Sequence, residues 1–213
     1  MLDQRKDGRR QSVSQHKRSL ILDAARSVFE AEGLEGASLR AIASRAGYTP
    51  AALYFHFDSK EAIYAEVLQA SLAALLNFVD EAVAGADTPE ARLNAAAMAF
   101  FSFYANNPRD LDLGFYLFRG GIKPAGLGRE RDERLNAALE AALLPVADAA
   151  EELGASKKEA NIIMAETFAH ATGLLLLLHT ARIRMFGASA EALMRTYVQE
   201  IIDRLKTAQL VRA

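Results

Sequence analysis

Apolar residues recur at helical spacing along almost the whole chain, and no segment reads credibly as a strand. Proline is scarce, β-branched runs are short, and Ala and Leu dominate. That pattern confines the chain to an all-α fold, and the breaks within it mark about nine helices. In the first, roughly 17–32, Leu20, Ile21, Ala24, Ala25, Val28 and Phe29 form one stripe that Gly33 ends. Ser38 is placed to cap a short helix closing near Ala46, with Gly47 just past its end. Thr49 caps another short helix with Pro50 at its first position, where a missing N–H costs nothing. Asp58-Ser59-Lys60-Glu61 opens a longer helix striped by Ile63, Val67, Leu72, Leu75 and Val79. Breaks at Gly85–Pro89, Pro108, Gly154 and Gly187 delimit further helices, the last three at about 129–153, 157–185 and 189–208. Between them lie an aromatic segment, Leu113–Phe118, and a loop, Gly120–Gly128.

With 213 residues, 51% of them hydrophobic and 24% charged, the chain can bury a core, which excludes wholesale disorder. The absence of cysteine excludes a disulfide framework and thiolate metal or redox chemistry. The charged start lacks the apolar stretch of a secretory signal, and the longest charge-free apolar run, between Glu166 and Arg182, is short for a span and carries His170 and His179. The expectation is a soluble cytoplasmic protein with no membrane partner. Residues 1–60 hold ten Lys/Arg against seven Asp/Glu, whereas 61–213 hold fifteen against twenty. A basic N-terminal region on an acidic body is compatible with a polyanion partner, although a solvated tail is the commoner explanation for such a run.

Two helices this short, joined by a three-residue turn with glycine, read as a helix-turn-helix. On the second, Leu53 and Phe57 are four apart and point inward, while Ala51 and Phe55 point nearly opposite. An outward face this apolar is unusual in water and suits a helix in a DNA major groove, where apolar side chains touch thymine methyls. Lys60, in the first turn of the next helix, opposes the helix dipole but makes a phosphate seat with the free N–H groups there.

The run from Arg18 through Ala24-Ala25 and Phe29 to Gly33 resembles the DNA-binding domain of the tetracycline-repressor (TetR) family. So do Ser38-Leu-Arg-Ala-Ile-Ala-Ser-Arg-Ala-Gly47, Thr49-Pro-Ala-Ala-Leu-Tyr-Phe-His-Phe57 and Ser59-Lys-Glu61, in order and without gaps. The resemblance covers about residues 17–69; beyond it only length and helix count agree. It implies that Ser38, Thr49, Tyr54, His56 and Lys60 contact phosphates, that Arg40 reaches a base edge, and that Ala51 and Phe55 face bases. It also implies a DNA-binding domain (17–60) and a helical ligand-binding and dimerisation domain (61–213); residues 1–16, ahead of the match, read from their charge as a flexible basic arm. The protein expected is a ligand-responsive repressor, a homodimer on a palindromic double-stranded DNA operator, released by a small-molecule effector. Small residues on the 157–185 helix, Ala165, Ala169, Thr172 and Gly173, suit close approach of a second helix.

Seven aromatics fall within residues 100–118, beside the Gly-rich loop, and most such residues are ordinary core. Together they also suit an apolar pocket for an apolar or aromatic effector, with Phe101, Tyr104, Phe115, Met164, Phe168 and His170 as candidate walls. Arg119 reads more readily as a surface ion pair than as an anion contact. Glu166 and His170 have i,i+4 metal spacing without a third ligand, so neither metal nor cofactor is expected. No Walker loop, Gly-x-Ser-x-Gly, His-Glu-x-x-His or dinucleotide-binding glycine motif is present, and the expectation is a protein that is not an enzyme. The alternatives are a helical small-molecule-binding protein or enzyme with an idle helix-turn-helix, and a regulator controlled by a protein partner.

Overall fold

The computed structural model describes residues 2–115 and 126–212, with side chains over 14–115 and 126–210. Tyr116, Phe118, Arg119 and most of the Gly120–Gly128 loop lie outside the described residues. Among the described residues there are nine α-helices and no strand: α1 (Leu2–Gly36), α2 (Leu39–Ala46), α3 (Pro50–Tyr54), α4 (Lys60–Ala84), α5 (Pro89–Asn106), α6 (Pro108–Gly114), α7 (Arg129–Glu152), α8 (Lys157–His179) and α9 (Ala190–Arg212). A 3-10 turn, Arg182–Phe186, lies between α8 and α9.

The local signals act where chemistry puts them. Gly33 leaves helical geometry at φ 69°, ψ 177°, kinking the end of α1. Ser38 and Thr49 are extended and accept hydrogen bonds from the N–H groups of Ala41 and Ala52, satisfying one orphan donor at each helix start. Gly47 closes α2 in the left-handed region at φ 75°, where a side chain would be strained. Ser156 and Glu159 form a reciprocal capping box at the start of α8.

Three boundaries differ from those read in the sequence. Helix α1 begins at Leu2 rather than near 17, through a stretch in which Arg, Lys and Gln favour helix. Helix α8 ends at His179 rather than 185: the Thr180 hydroxyl donates to the Leu176 carbonyl at 2.6 Å, and Ala181 turns left-handed at φ 58°. Helix α9 continues to Arg212 rather than stopping near 208.

The chain divides into two compact units. The first comprises Met1–Ala70 with Leu111–Leu135. In it α1 packs on α2 and α2 on α3, around buried Ile21, Phe29, Ile42, Leu53, Ile63 and Tyr64. The Phe29 and Tyr64 rings meet edge to face at 4.8 Å, and the Tyr64 hydroxyl donates to the Leu113 carbonyl at 2.8 Å. The second comprises Ser71–Asp110 with Asn136–Ala213, where α5, α8 and α9 pack together over Leu93, Phe100, Leu175, Met194 and Val198. Helices α4 and α8 are long and apolar enough to cross a membrane by length and composition alone. Part of each apolar surface is core, however: Ile63, Val67, Leu75 and Val79 of α4 and Ile163, Leu174 and Leu175 of α8 are buried.

Candidate nucleic-acid interface

Helix α3 is five residues long, far too short to be stable by itself, so its orientation is imposed by what anchors it. Leu53 is 1% exposed and Phe57 4%, and both reach the core of the first unit. On the opposite side Ala51 is exposed, Tyr54 is largely exposed, and Phe55 is 88% exposed. Holding a phenyl ring in water forgoes the roughly 1.5–3 kcal/mol that burial of such a side chain supplies. Helix α3 packs on α2. Arg40 and Arg45 are both exposed on α2, whose first turn contains no acidic residue. An apolar protrusion beside exposed guanidinium groups can touch base methyls and edges while the cations meet phosphates.

The remaining candidate residues take more specific positions. Ser38 and Thr49 use their side-chain oxygens as helix caps yet stay exposed. His56 is half-buried, and its carbonyl accepts from Arg18 at 2.7 Å. Lys60 does not point freely into solvent: its Nζ donates to the Ala37 carbonyl at 3.1 Å, tying the start of α4 to the residue before the Ser38 cap. The structure therefore brings Ser38 and Lys60 close through Ala37. Lys60→Ala is expected to cost about 1 kcal/mol of stability through that bond. If Lys60 also meets a phosphate, the variant binds native and scrambled DNA more weakly to the same degree and lowers the slope of log K against log salt by about one. A fall in stability with an unchanged slope would assign Lys60 to the fold alone.

The sequence reading passed over Arg18 as one more basic residue near the N-terminus. Its guanidinium donates through Nε to Glu66 Oε2 at 3.1 Å, pairs through a second nitrogen with the other oxygen of Glu66, and lies 4.2 Å from the centroid of the Phe57 ring. A partner 48 residues away leaves no local signal.

The candidate effector residues separate into groups. Phe101 and Tyr104 are almost wholly buried in the second unit, while Met164 and Phe168 are half-buried. Phe168 meets Phe100 edge to face at 5.9 Å, and Phe100 in turn meets Tyr104 at 5.2 Å. Burial, reinforced by the charge of Asp110, pushes the Tyr104 hydroxyl above its ordinary pKa, so it stays neutral. His170 does not join this cluster. Two residues beyond Phe168, it is turned about 200° around the helix and stacks on Tyr197 of α9 at 4.0 Å. Burial holds its imidazole below the ordinary value, against the charge of Glu200 and a backbone hydrogen bond involving Leu193. Met164 and Phe168, four residues apart, share a face. Phe115 belongs to the first unit.

Among the described residues the fold is all-helical, with a helix-turn-helix formed by α2 and α3 near its N-terminal end. Over residues 21–67 the chain matches the family model described as bacterial regulatory proteins, tetR family. It is 36% identical over 99 residues to the transcriptional activator FasR of Mycolicibacterium smegmatis, covering 46% of this chain and 45% of that one. It is 44% identical over 69 residues to the transcriptional regulator UidR of Escherichia coli K12, covering 32% and 35%. The alignments thus span less than half of either relative. The crystal structure of the regulator FadR from Bacillus subtilis in complex with stearoyl-CoA shares the fold, with a TM-score of 0.66 at 16% identity over 86% of this chain and 97% of that one.

Proposed function

We propose that the protein is a ligand-responsive transcriptional regulator of the repressor type, acting in the cytoplasm as a homodimer on a palindromic operator. The observation that carries this reading is the outward face of α3, where Ala51 and Phe55 lie exposed while Leu53 and Phe57 hold the helix to the core, with Arg40 exposed on the neighbouring α2. Residues 17–60 constitute the DNA-binding domain. Arg40, Ala51 and Phe55 meet bases; Ser38, Thr49, Tyr54, His56 and Lys60 meet the backbone. Two copies related by a two-fold axis present two such helices to major grooves about 34–36 Å apart.

Residues 61–213 sense the effector and dimerise. Dimerisation is supported by α8, on which Ala165, Ala169 and Gly173 are exposed in a row flanked by exposed Ile162 and Leu176. This is an apolar stripe with small residues at its centre, suited to a helix from a second copy. An apolar or aromatic effector is supported by the Phe100–Phe168–Tyr104 cluster, with Phe101, Met164 and Phe168 as its nearest candidate contacts. Effector binding favours a dimer whose recognition helices no longer match successive grooves; a coupling of about 1–3 kcal/mol changes operator occupancy several-fold or more.

The test is fluorescence anisotropy on DNA flanking the gene, with scrambled DNA as control, at two salt concentrations. Binding that favours the native sequence and weakens with salt supports the reading. Equal binding to both duplexes, with no sequence recovered from a random library, refutes it. Native mass spectrometry of the same preparation reads the dimer as twice 23.2 kDa. Stearoyl-CoA and a simple aromatic acid serve as the first effector probes, each scored by release of DNA.

A further inference from the structure

We propose that Arg18 is a positioning residue for the recognition helix, fixing the angle at which Phe55 and its neighbours are presented to DNA; this rests on the DNA-binding reading above. The helix that carries recognition has only five residues, Pro50–Tyr54, and Phe55 follows it directly. Side-chain anchors at Leu53 and Phe57 hold the segment inward, but burial of two apolar groups restrains rotation only loosely, because dispersion has no direction. The directional restraint comes from Arg18. One nitrogen of its guanidinium donates to the His56 carbonyl at 2.7 Å, one peptide beyond Phe55. The edge formed by Nε and the other terminal nitrogen grips both carboxylate oxygens of Glu66 on α4. The central carbon of the same group lies over the Phe57 ring, 4.2 Å from its centroid.

A planar fork can satisfy a carboxylate and a carbonyl at once only in one orientation, so α1, the turn after α3, and α4 are held in a fixed mutual register. Glu66 holds Arg18 in the geometry that the His56 carbonyl needs. Arg18 is itself half-buried and committed to these partners, so its contribution to DNA binding acts through the backbone of the turn.

This role separates from a phosphate contact and from a purely structural role by its readout. Arg18→Met and Glu66→Gln are compared with the unaltered protein on two duplexes: the sequence that the unaltered protein selects from a random library, and a scrambled duplex of equal length. Affinities are measured at several salt concentrations and thermal melts are recorded in parallel. Arg18→Met is expected to weaken binding to the selected sequence roughly tenfold, the equivalent of one charge-assisted hydrogen bond. Affinity for scrambled DNA and the salt slope on it stay unchanged. Glu66→Gln, which keeps the Arg18 charge, moves the preference in the same direction by less.

Equal weakening on both duplexes with a salt slope lower by about one makes Arg18 a phosphate contact and overturns the proposal. A lowered melting temperature with sequence preference intact also overturns it, leaving a structural role only. If Arg18→Met does not fold, Glu66→Gln decides: a reduced preference supports the proposal and an unchanged one overturns it. If the unaltered protein selects no sequence at all, the DNA-binding reading itself fails and takes this one with it, an outcome distinct from failure of the variants alone.

Discussion

Leu53→Ala is expected to destabilise the N-terminal unit by about 2–5 kcal/mol and to abolish sequence-specific DNA binding with it. The size follows from what Leu53 is asked to do. Helix α3 has one and a half turns, so its own hydrogen bonds cannot keep it folded, and its buried side chain is what attaches it to the rest of the unit. The Leu53 carbonyl also accepts from the N–H groups of His56 and Phe57, at 2.8 and 2.9 Å, so a shift of Leu53 carries the whole turn with it. Against a typical total stability of about 5–15 kcal/mol the loss is large. Because the chain has no tryptophan, urea unfolding is best followed by far-UV circular dichroism. Phe55→Ala is the natural control. An exposed ring contributes little to the folded state, so its stability should change by less than about 0.5 kcal/mol while operator affinity falls. A cost below 1 kcal/mol for Leu53→Ala would mean that the helix is anchored elsewhere.

What the sequence made legible was whatever depends on neighbours within one or two turns. Ser38, Gly47, Thr49 and Pro50 act through their own backbone geometry or a hydrogen bond three residues away, so the ends of α2 and the start of α3 followed from residue types alone. The division of Leu53 from Phe55 followed from helical periodicity. Interactions between distant segments were not legible. Nothing near Lys60 announces that it will reach the Ala37 carbonyl, and nothing near Arg18 announces Glu66. The end of α8 was hidden for a related reason. The apolar run Leu174–Leu178 continues the helical pattern, and the reversal is made by Ala181 in a left-handed conformation where a glycine would have been the visible sign. His170 and Phe168 are two residues apart in sequence but about 200° apart around the helix, which sets His170 against Tyr197.

Arg40→Ala is expected to leave the fold intact and to cost about 1–3 kcal/mol of binding per half-site and roughly double that on a dimer bound to both, concentrated at one base position in each half. The proposed recognition helix lacks the side chains that read bases most sharply. Between Pro50 and Phe57 there is no Arg, Asn or Gln, the side chains whose paired donors and acceptors distinguish one base pair from another. Phe55 and Ala51 can sense a thymine methyl or the width of a groove, but a methyl contact discriminates less sharply than a bidentate hydrogen bond. Arg40 is exposed on the first turn of α2, two residues past the Ser38 cap, and its guanidinium has the geometry to fork onto a guanine. Removing it should therefore relax the choice of base at that position while leaving preferences at other positions in place. Competition between the selected operator and its single-base variants reads this directly. In the unaltered protein one position per half-site should be strongly selective, and in Arg40→Ala the four bases there should bind within a few-fold of one another. If instead the variant loses the same factor on every sequence, including scrambled DNA, Arg40 meets a phosphate and the operator is read through apolar contact and DNA shape alone.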